Sequence, residues 1–351
     1  MPTMIAPPPA PAAPVRASSS AAEVDVQLQP LDLYRAERTL VWRQIRLFLF
    51  AAAVFVLLRA LTGEGLFLLV AVAVISLFCF AVHSGFLYLG ARSTLKTNRV
   101  LGGPMHYAFE PGGIVLRAST FWSHTAWSNL HDKIETRYAL ILRTSSAQKY
   151  VIPKRCLAPG DLEQLRALAR PGASGIPVPR PQAKQANRSL LTIKVRMTAD
   201  DLYRGFLILL LRKSFWYAGQ MAFSLILIFL LNPRWLSPIA FVVVGTVFFF
   251  YVAVALYWSS ARAIRTNAVY RNELEFAFDE SGMDACGPTF ANHQDWCNFQ
   301  SVVEDSKIFV FCPSNSQMVI VPKRCFTGPS QIEALLQLLR TQFTGKLSLK
   351  R

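Results

Sequence analysis

Val151-Ile152-Pro153-Lys154-Arg155-Cys156-Leu157 returns later in the chain as Ile320-Val321-Pro322-Lys323-Arg324-Cys325-Phe326. The two prolines stand 169 positions apart, and the same interval separates Asp32-Leu33-Tyr34-Arg35 from Asp201-Leu202-Tyr203-Arg204. Between these ends Gly113, His124, Trp127, Asn129 and Glu135 reappear as Gly282, His293, Trp296, Asn298 and Glu304. Solenoid repeats run at roughly 20–50 residues, so an interval this long marks a duplicated, domain-sized unit. The two copies can be compared with each other position by position.

Each copy runs in the same order. A short alternation, Val24–Leu28 or Thr192–Met197, predicts a half-buried strand. The Asp-Leu-Tyr-Arg motif follows, with its aspartate at a helix N-cap or in the first turn. Two apolar blocks come next, about 45–61 and 66–89 in copy one, 215–231 and 236–258 in copy two. A membrane span needs about 20 apolar residues, so each pair reads as a transmembrane hairpin. Basic residues flank the hairpins (Arg43, Arg46, Arg92, Lys96; Arg212, Lys213, Arg262, Arg265), which by the positive-inside rule places both termini and both soluble portions in the cytoplasm.

The soluble stretches break into short β-rich segments. In copy one they are Met105–Glu110, Ile114–Ser119, Thr125–Ser128, Ile134–Tyr138, Leu140–Thr144 and Lys149–Pro153, then a helix over Pro159–Arg170. In copy two they are Leu274–Asp279, Gly282–Ala285, Asp295–Phe299, Val302–Asp305, Lys307–Cys312 and Gln317–Pro322, then a helix near Gln331–Gln342. The first strand of each copy is too short to fold alone and is expected to join its own copy's sheet. The organisation is then a disordered tail over 1–22, repeat one over 23–170 with its soluble domain at 104–170, and a linker over 171–190. Repeat two covers 191–343 with its soluble domain at 272–343, and a basic tail covers 344–351.

Composition agrees with a membrane protein: 52% of residues are hydrophobic, 17% are charged, and the apolar blocks hold few of those charges. The formal net charge of +16 raises nucleic acid as a partner. No basic stretch alternates with stacking aromatics and no zinc-finger or homeodomain spacing occurs, so nucleic acid is set aside. Six cysteines without a CxxC read as reduced thiols.

The order of hairpin, strands, tryptophan, Pro-Lys-Arg and helix resembles the YcxB-like family of bacterial membrane proteins. The resemblance rests on Phe109-Glu110-Pro111-Gly112-Gly113-Ile114, Ala126-Trp127-Ser128-Asn129-Leu130 and Val151 to Leu157, with their counterparts Phe278 to Met283, Trp296 to Phe299 and Ile320 to Phe326. Asparagine at 129 and 298 departs from the family's usual aspartate. The resemblance implies a bacterial inner membrane location and pleckstrin-homology-like domains, each of seven strands with a C-terminal helix. The expected fold class is membrane α+β: four transmembrane helices as two hairpins plus two small β-rich domains.

The repeat also sorts candidate sites. Lys154, Arg155, Lys323 and Arg324 follow a strand-ending proline and are the candidates for contact with anionic lipid headgroups or a membrane-protein partner. Trp127 and Trp296 read as structural anchors, since tryptophan buries a large area. Asp32, Tyr34, Asp201 and Tyr203 read as elbows between strand and helix. His124 and His293 lack further repeated ligands, so no metal or cofactor is expected. Glu135 and Glu304 lack a repeated carboxylate partner, so paired-carboxylate catalysis is not expected. The expected function is a non-catalytic binding or scaffolding module at the membrane face. The alternative is a small integral-membrane enzyme, or an accessory to one, using Cys156, Cys325, His124 or His293.

Overall fold

The computed structural model describes residues 22–42, 84–144, 148–169, 191–212, 238–314 and 317–349. In the first half, β1 (Ala22–Val26) leads into helix α1 (30–42), and α2 (84–97) and α3 (Arg99–Gly102) lead into β2 (Met105–Glu110). Strands β3 (Gly113–Ala118) and β4 (Phe121–Ala126) follow, then a 3-10 turn at Trp127–Asn129. The half closes with β5 (Asp132–Glu135), β6 (Ala139–Arg143), β7 (Lys149–Pro153), a 3-10 turn at Lys154–Cys156 and helix α4 (Pro159–Leu168).

The second half repeats the order. Its elements are β8 (Leu191–Val195), α5 (Ala199–Arg212), α6 (Pro238–Thr266), α7 (Ala268–Arg271), β9 (Leu274–Phe278), β10 (Gly282–Gly287) and β11 (Phe290–Asp295). A 3-10 turn at Trp296–Asn298, β12 (Ser301–Glu304), β13 (Ile308–Cys312), β14 (Val319–Pro322), a turn at Lys323–Cys325 and α8 (Pro329–Gln342) complete the parallel. One addition has no equivalent among the described residues of the first half: β15 (Lys346–Ser348), inside the stretch expected to be a basic tail.

β1 and β8 alternate buried and exposed residues, and each pairs with the first strand after its helices, β2 or β9. Each therefore joins the sheet of its own copy, across the residues that separate them in sequence. The two copies do not form two separate sheets. The order is β1-β2-β3-β4-β11-β10-β9-β8, one eight-stranded sheet in which β4 pairs antiparallel with β11. Ser123 lies opposite Asn292, its own counterpart, with Thr125 opposite Phe290 and Phe121 opposite Gln294 on either side. The seam thus has local twofold symmetry. Its outermost backbone bonds are reciprocal: Ala126 N–H donates to Thr289 O at 2.9 Å, and Asp295 N–H to Thr120 O at 3.1 Å. Antiparallel pairing removes two open edges from the middle of the molecule.

Two smaller sheets, β5-β6-β7 and β14-β13-β12-β15, complete the β structure. Each half encloses its own core. Tyr107, Phe109, Trp127, Leu140, Ile152 and Leu165 form the first; Phe276, Phe278, Trp296, Phe309, Phe311 and Leu335 form the second. The architecture is α+β with extended antiparallel sheets.

Four membrane-spanning helices were expected, and this expectation is corrected. Among the described residues no helix is long and apolar enough to cross a membrane, so a multi-pass placement in an inner membrane is not supported. The blocks at 45–61 and 215–231 lie outside the described residues, as does most of 66–89. The helix ends just past the blocks reach the protein cores, whereas large apolar residues within the described parts of the blocks are exposed. In α2, Ala91 is buried in the first core and Leu95 packs on it. In α6, Ala263 and Ile264 pack on the second core. Phe86, Leu89, Phe250, Val254 and Trp258 are exposed on the same two helices.

The strands at the seam also differ from expectation. Thr125–Ser128 and Asp295–Phe299 were read as strands, but β4 and β11 end at Ala126 and Asp295, and each tryptophan sits in the following 3-10 turn. The repeated glycines have a steric reason. A Cβ on Gly113 would lie 2.2 Å from Thr125 O, and one on Gly282 would lie 2.2 Å from Gln294 O. Backbone cannot yield as a flexible side chain can, so Gly282→Ala is expected to destabilise the protein by about 2 kcal/mol or more in urea unfolding.

Candidate functional site

The four cations singled out by the repeat are held in one wiring scheme, present twice. The 3-10 turn after β7 directs Arg155 back to the start of α1, where its Nη2 donates to Asp32 Oδ2 at 2.6 Å and to Gln27 O at 2.9 Å. Asp32 Oδ2 also accepts the Gln29 N–H at 2.9 Å, which caps the helix. In the second half Arg324 engages Asp201 with both nitrogens, Nη1 to Oδ1 at 2.5 Å and Nη2 to Oδ2 at 2.7 Å, and donates to Arg196 O at 2.8 Å. Asp201 Oδ2 accepts from the Thr198 N–H at 2.8 Å and its hydroxyl at 2.7 Å. The planar guanidinium fork suits such two-point recognition of a carboxylate.

Asp201 is buried. Burial acts to raise its pKa, but the bonds from Arg324 and Thr198 outweigh that and hold the carboxyl below its ordinary value. The aspartates expected at helix–strand elbows are therefore there, in the first turn of the helix, and the arginines expected to face headgroups are their partners. Tyr34 and Tyr203 complete the elbows by edge-to-face contact with Tyr88 and Tyr257, at 6.0 Å and 5.8 Å between ring centroids.

The lysines are paired as well. Lys154 Nζ donates to Glu135 Oε1 at 2.6 Å, and Lys323 Nζ to Glu304 Oε1 at 2.5 Å. In the first half Arg166 of α4 adds two bonds to Glu135, at 2.9 Å and 2.5 Å, and together the cations pull that carboxyl down to about 2. The second half has Leu335 in place of Arg166, and Lys323 instead also lies 4.9 Å from the Phe309 ring centroid. Trp127 and Trp296 are buried, and their indole N–H groups donate to Glu110 O at 2.8 Å and Asp279 O at 2.9 Å. Each indole is packed in the core of its own half with its one donor satisfied.

The histidines part company. His124 is buried between Val115 and Ala291 in register, and its Nε2 has no hydrogen-bond partner among the described residues. Burial lowers its pKa, although Glu110 acts in the opposite direction. His293 lies between Asp284 Oδ1 at 2.7 Å and Asp295 Oδ1 at 3.0 Å. Burial would lower its pKa, but the two carboxylates prevail and raise it to about 10. Sequence reasoning missed Asp284 and Asp295 because their counterparts are Val115 and Ala126, so the repeat gave no signal for them. It also missed Thr120, whose hydroxyl donates to Asn298 Oδ1 at 2.8 Å and whose carbonyl accepts from Asn298 Nδ2 at 2.6 Å across the seam. Its counterpart Thr289 Oγ1 is buried without a partner among the described residues. No group of three or more His, Cys, Asp or Glu that could hold a metal occurs among the described residues.

Residues 109–169, from the end of β2 to just past α4, match the family model described as YcxB-like protein. The first half of the chain is in this sense similar to that family, over less than half of the full length. No curated protein and no solved structure matches the chain.

Two outcomes test the electrostatics. Arg324→Met leaves Asp201 buried without its counter-charge and is expected to cost about 2–3 kcal/mol in urea unfolding; adding Asp201→Asn should recover part of that loss. His293 has a folded pKa of about 10 against an ordinary 6.5, so its contribution is complete below pH 6.5 and lost as pH rises toward 10. Thermal unfolding from pH 6 to 10 should show that alkaline decline, and His293→Gln should flatten it.

Proposed function

We propose that this chain is a non-catalytic binding or scaffolding protein, built from two YcxB-like units joined edge to edge. One observation carries the reading. The polar residues that recur at the 169-residue interval and head the list of candidates are engaged in matching intramolecular bonds, Arg155–Asp32 with Arg324–Asp201 and Lys154–Glu135 with Lys323–Glu304. The recurrence of this wiring also supports taking the second half as a second unit of the same kind. A catalytic constellation needs a nucleophile or base placed to meet a substrate. The repeated histidines instead have opposite environments, and burial raises the pKa of the Cys325 thiol and so lowers its reactivity.

A partner would meet the outer face of the large sheet. Asp25, His106, Arg117, Trp122, His293 and Asp284 are successive register neighbours across six strands of that face. Arg117 is exposed, and Trp122 and His106 are partly so. Mixed charge around a partly exposed tryptophan is the composition of a protein-binding surface. A photocrosslinking amino acid placed at Arg117 or Trp122 in cells is expected to give the same discrete adduct, and one at buried Leu140 none. Turnover in a hydrolase and redox screen that disappears with Cys325→Ser or His293→Gln would overturn the reading.

A further inference from the structure

We propose that the outer edge of β5 is a docking site for an extended segment of a separate polypeptide, which adds to it as a parallel strand. The second half of the chain supplies the template. There the equivalent strand, β12, is covered by the chain's own β15, in parallel register with Ser301 opposite Lys346 and Val303 opposite Ser348. Lys346 N–H donates to Gln300 O at 3.0 Å, and the alternation of a strand makes Ser348 the next donor toward this edge. Gly345 brings the tail in close: a Cβ there would lie 2.8 Å from Gln300 O and closer still to the Phe343 ring.

The corresponding residues of the first half lack the donors that this arrangement uses. The residues one repeat before Gly345-Lys346-Leu347-Ser348 are Ile176-Pro177-Val178-Pro179. Proline stands at both donor positions and has no N–H to give. Isoleucine stands where the close approach to backbone requires glycine. Among the described residues β5 pairs only with β6, and Glu135 at its end and His131 just before it are exposed. An open strand edge offers a row of backbone donors and acceptors, and addition of a peptide strand is a general way to satisfy them. The edge groups here, by equivalence with β12, are His131 O, the Lys133 N–H and O, and the Glu135 N–H. The matching ligand is an extended segment with glycine at its entry, an N–H at the next residue and the one two further on, and an apolar side chain between those two.

The probe is the peptide Gly-Lys-Leu-Ser-Leu-Lys, the sequence of residues 345–350, labelled with fluorescein and titrated with the full chain. Saturable binding of one peptide per chain is expected. A peptide N-methylated at its first lysine and its serine keeps the side chains but lacks the two donors, and should bind at least about tenfold more weakly, roughly 1.4 kcal/mol. Lys133→Pro in the full chain should abolish binding, with the N-methylated peptide as the control that does not depend on that variant's folding. Absence of saturable binding, or equal binding of the N-methylated peptide, would overturn the proposal. So would binding that survives Lys133→Pro, since the peptide would then be displacing β15 from β12. Self-association of the chain through its own tail, lost on deletion of residues 345–351, would likewise contradict a separate partner.

Discussion

The eight-stranded sheet, and with it the joining of the two halves, depends on the backbone ladder between β4 and β11. Each half alone would end its sheet at an open strand, and such an edge is a liability that must be paired, covered or blunted. Here the two equivalent edges pair with each other about Ser123 and Asn292, so that sequence duplication becomes a locally symmetric interface inside one chain. Side-chain symmetry is incomplete. Thr120 and Asn298 form two bonds across the seam, whereas the counterpart Thr289 hydroxyl has no partner among the described residues. The backbone carries the symmetry, and side chains at its rim have diverged.

The Arg–Asp clamps play a second, more local part. Each ties the turn after the last sheet strand to the first turn of the helix that follows the first strand, across 123 residues of sequence. A buried carboxylate is costly unless paired, and the guanidinium fork answers that cost while also holding the carbonyl of Gln27 or Arg196. The clamp therefore fixes where the helix leaves the sheet. It also explains why Asp-Leu-Tyr-Arg and Pro-Lys-Arg recur together at the same interval: one supplies the carboxylate and the other the guanidinium.

Elements with a local cause were legible in the sequence. The alternation of β1 and β8, the order and approximate extent of β2, β3, β6, β7, β9, β13 and β14, and the closing helices were readable; β15, read as a tail, was not. What was not legible depended on partners far away in sequence. Phe121-Trp122-Ser123-His124-Thr125 and Phe290-Ala291-Asn292-His293-Gln294 carry polar side chains on both faces, so they lack the period-2 signal, and their pairing is between halves. The cations of Pro-Lys-Arg looked available because the repeat identified the residues without identifying the bonds between them. The apolar blocks met the length criterion for spans, yet among the described residues no helix is long and apolar enough to cross a membrane.

Residue-resolved amide hydrogen exchange tests the central claim most directly. The Ala126 and Asp295 amides donate across the seam, so if β4 and β11 form one ladder they should be protected to a degree comparable with Phe109 and Phe278 inside each half. Exchange of both at the rate of an open strand edge, while Phe109 and Phe278 stay protected, would mean two independent sheets and would contradict the account.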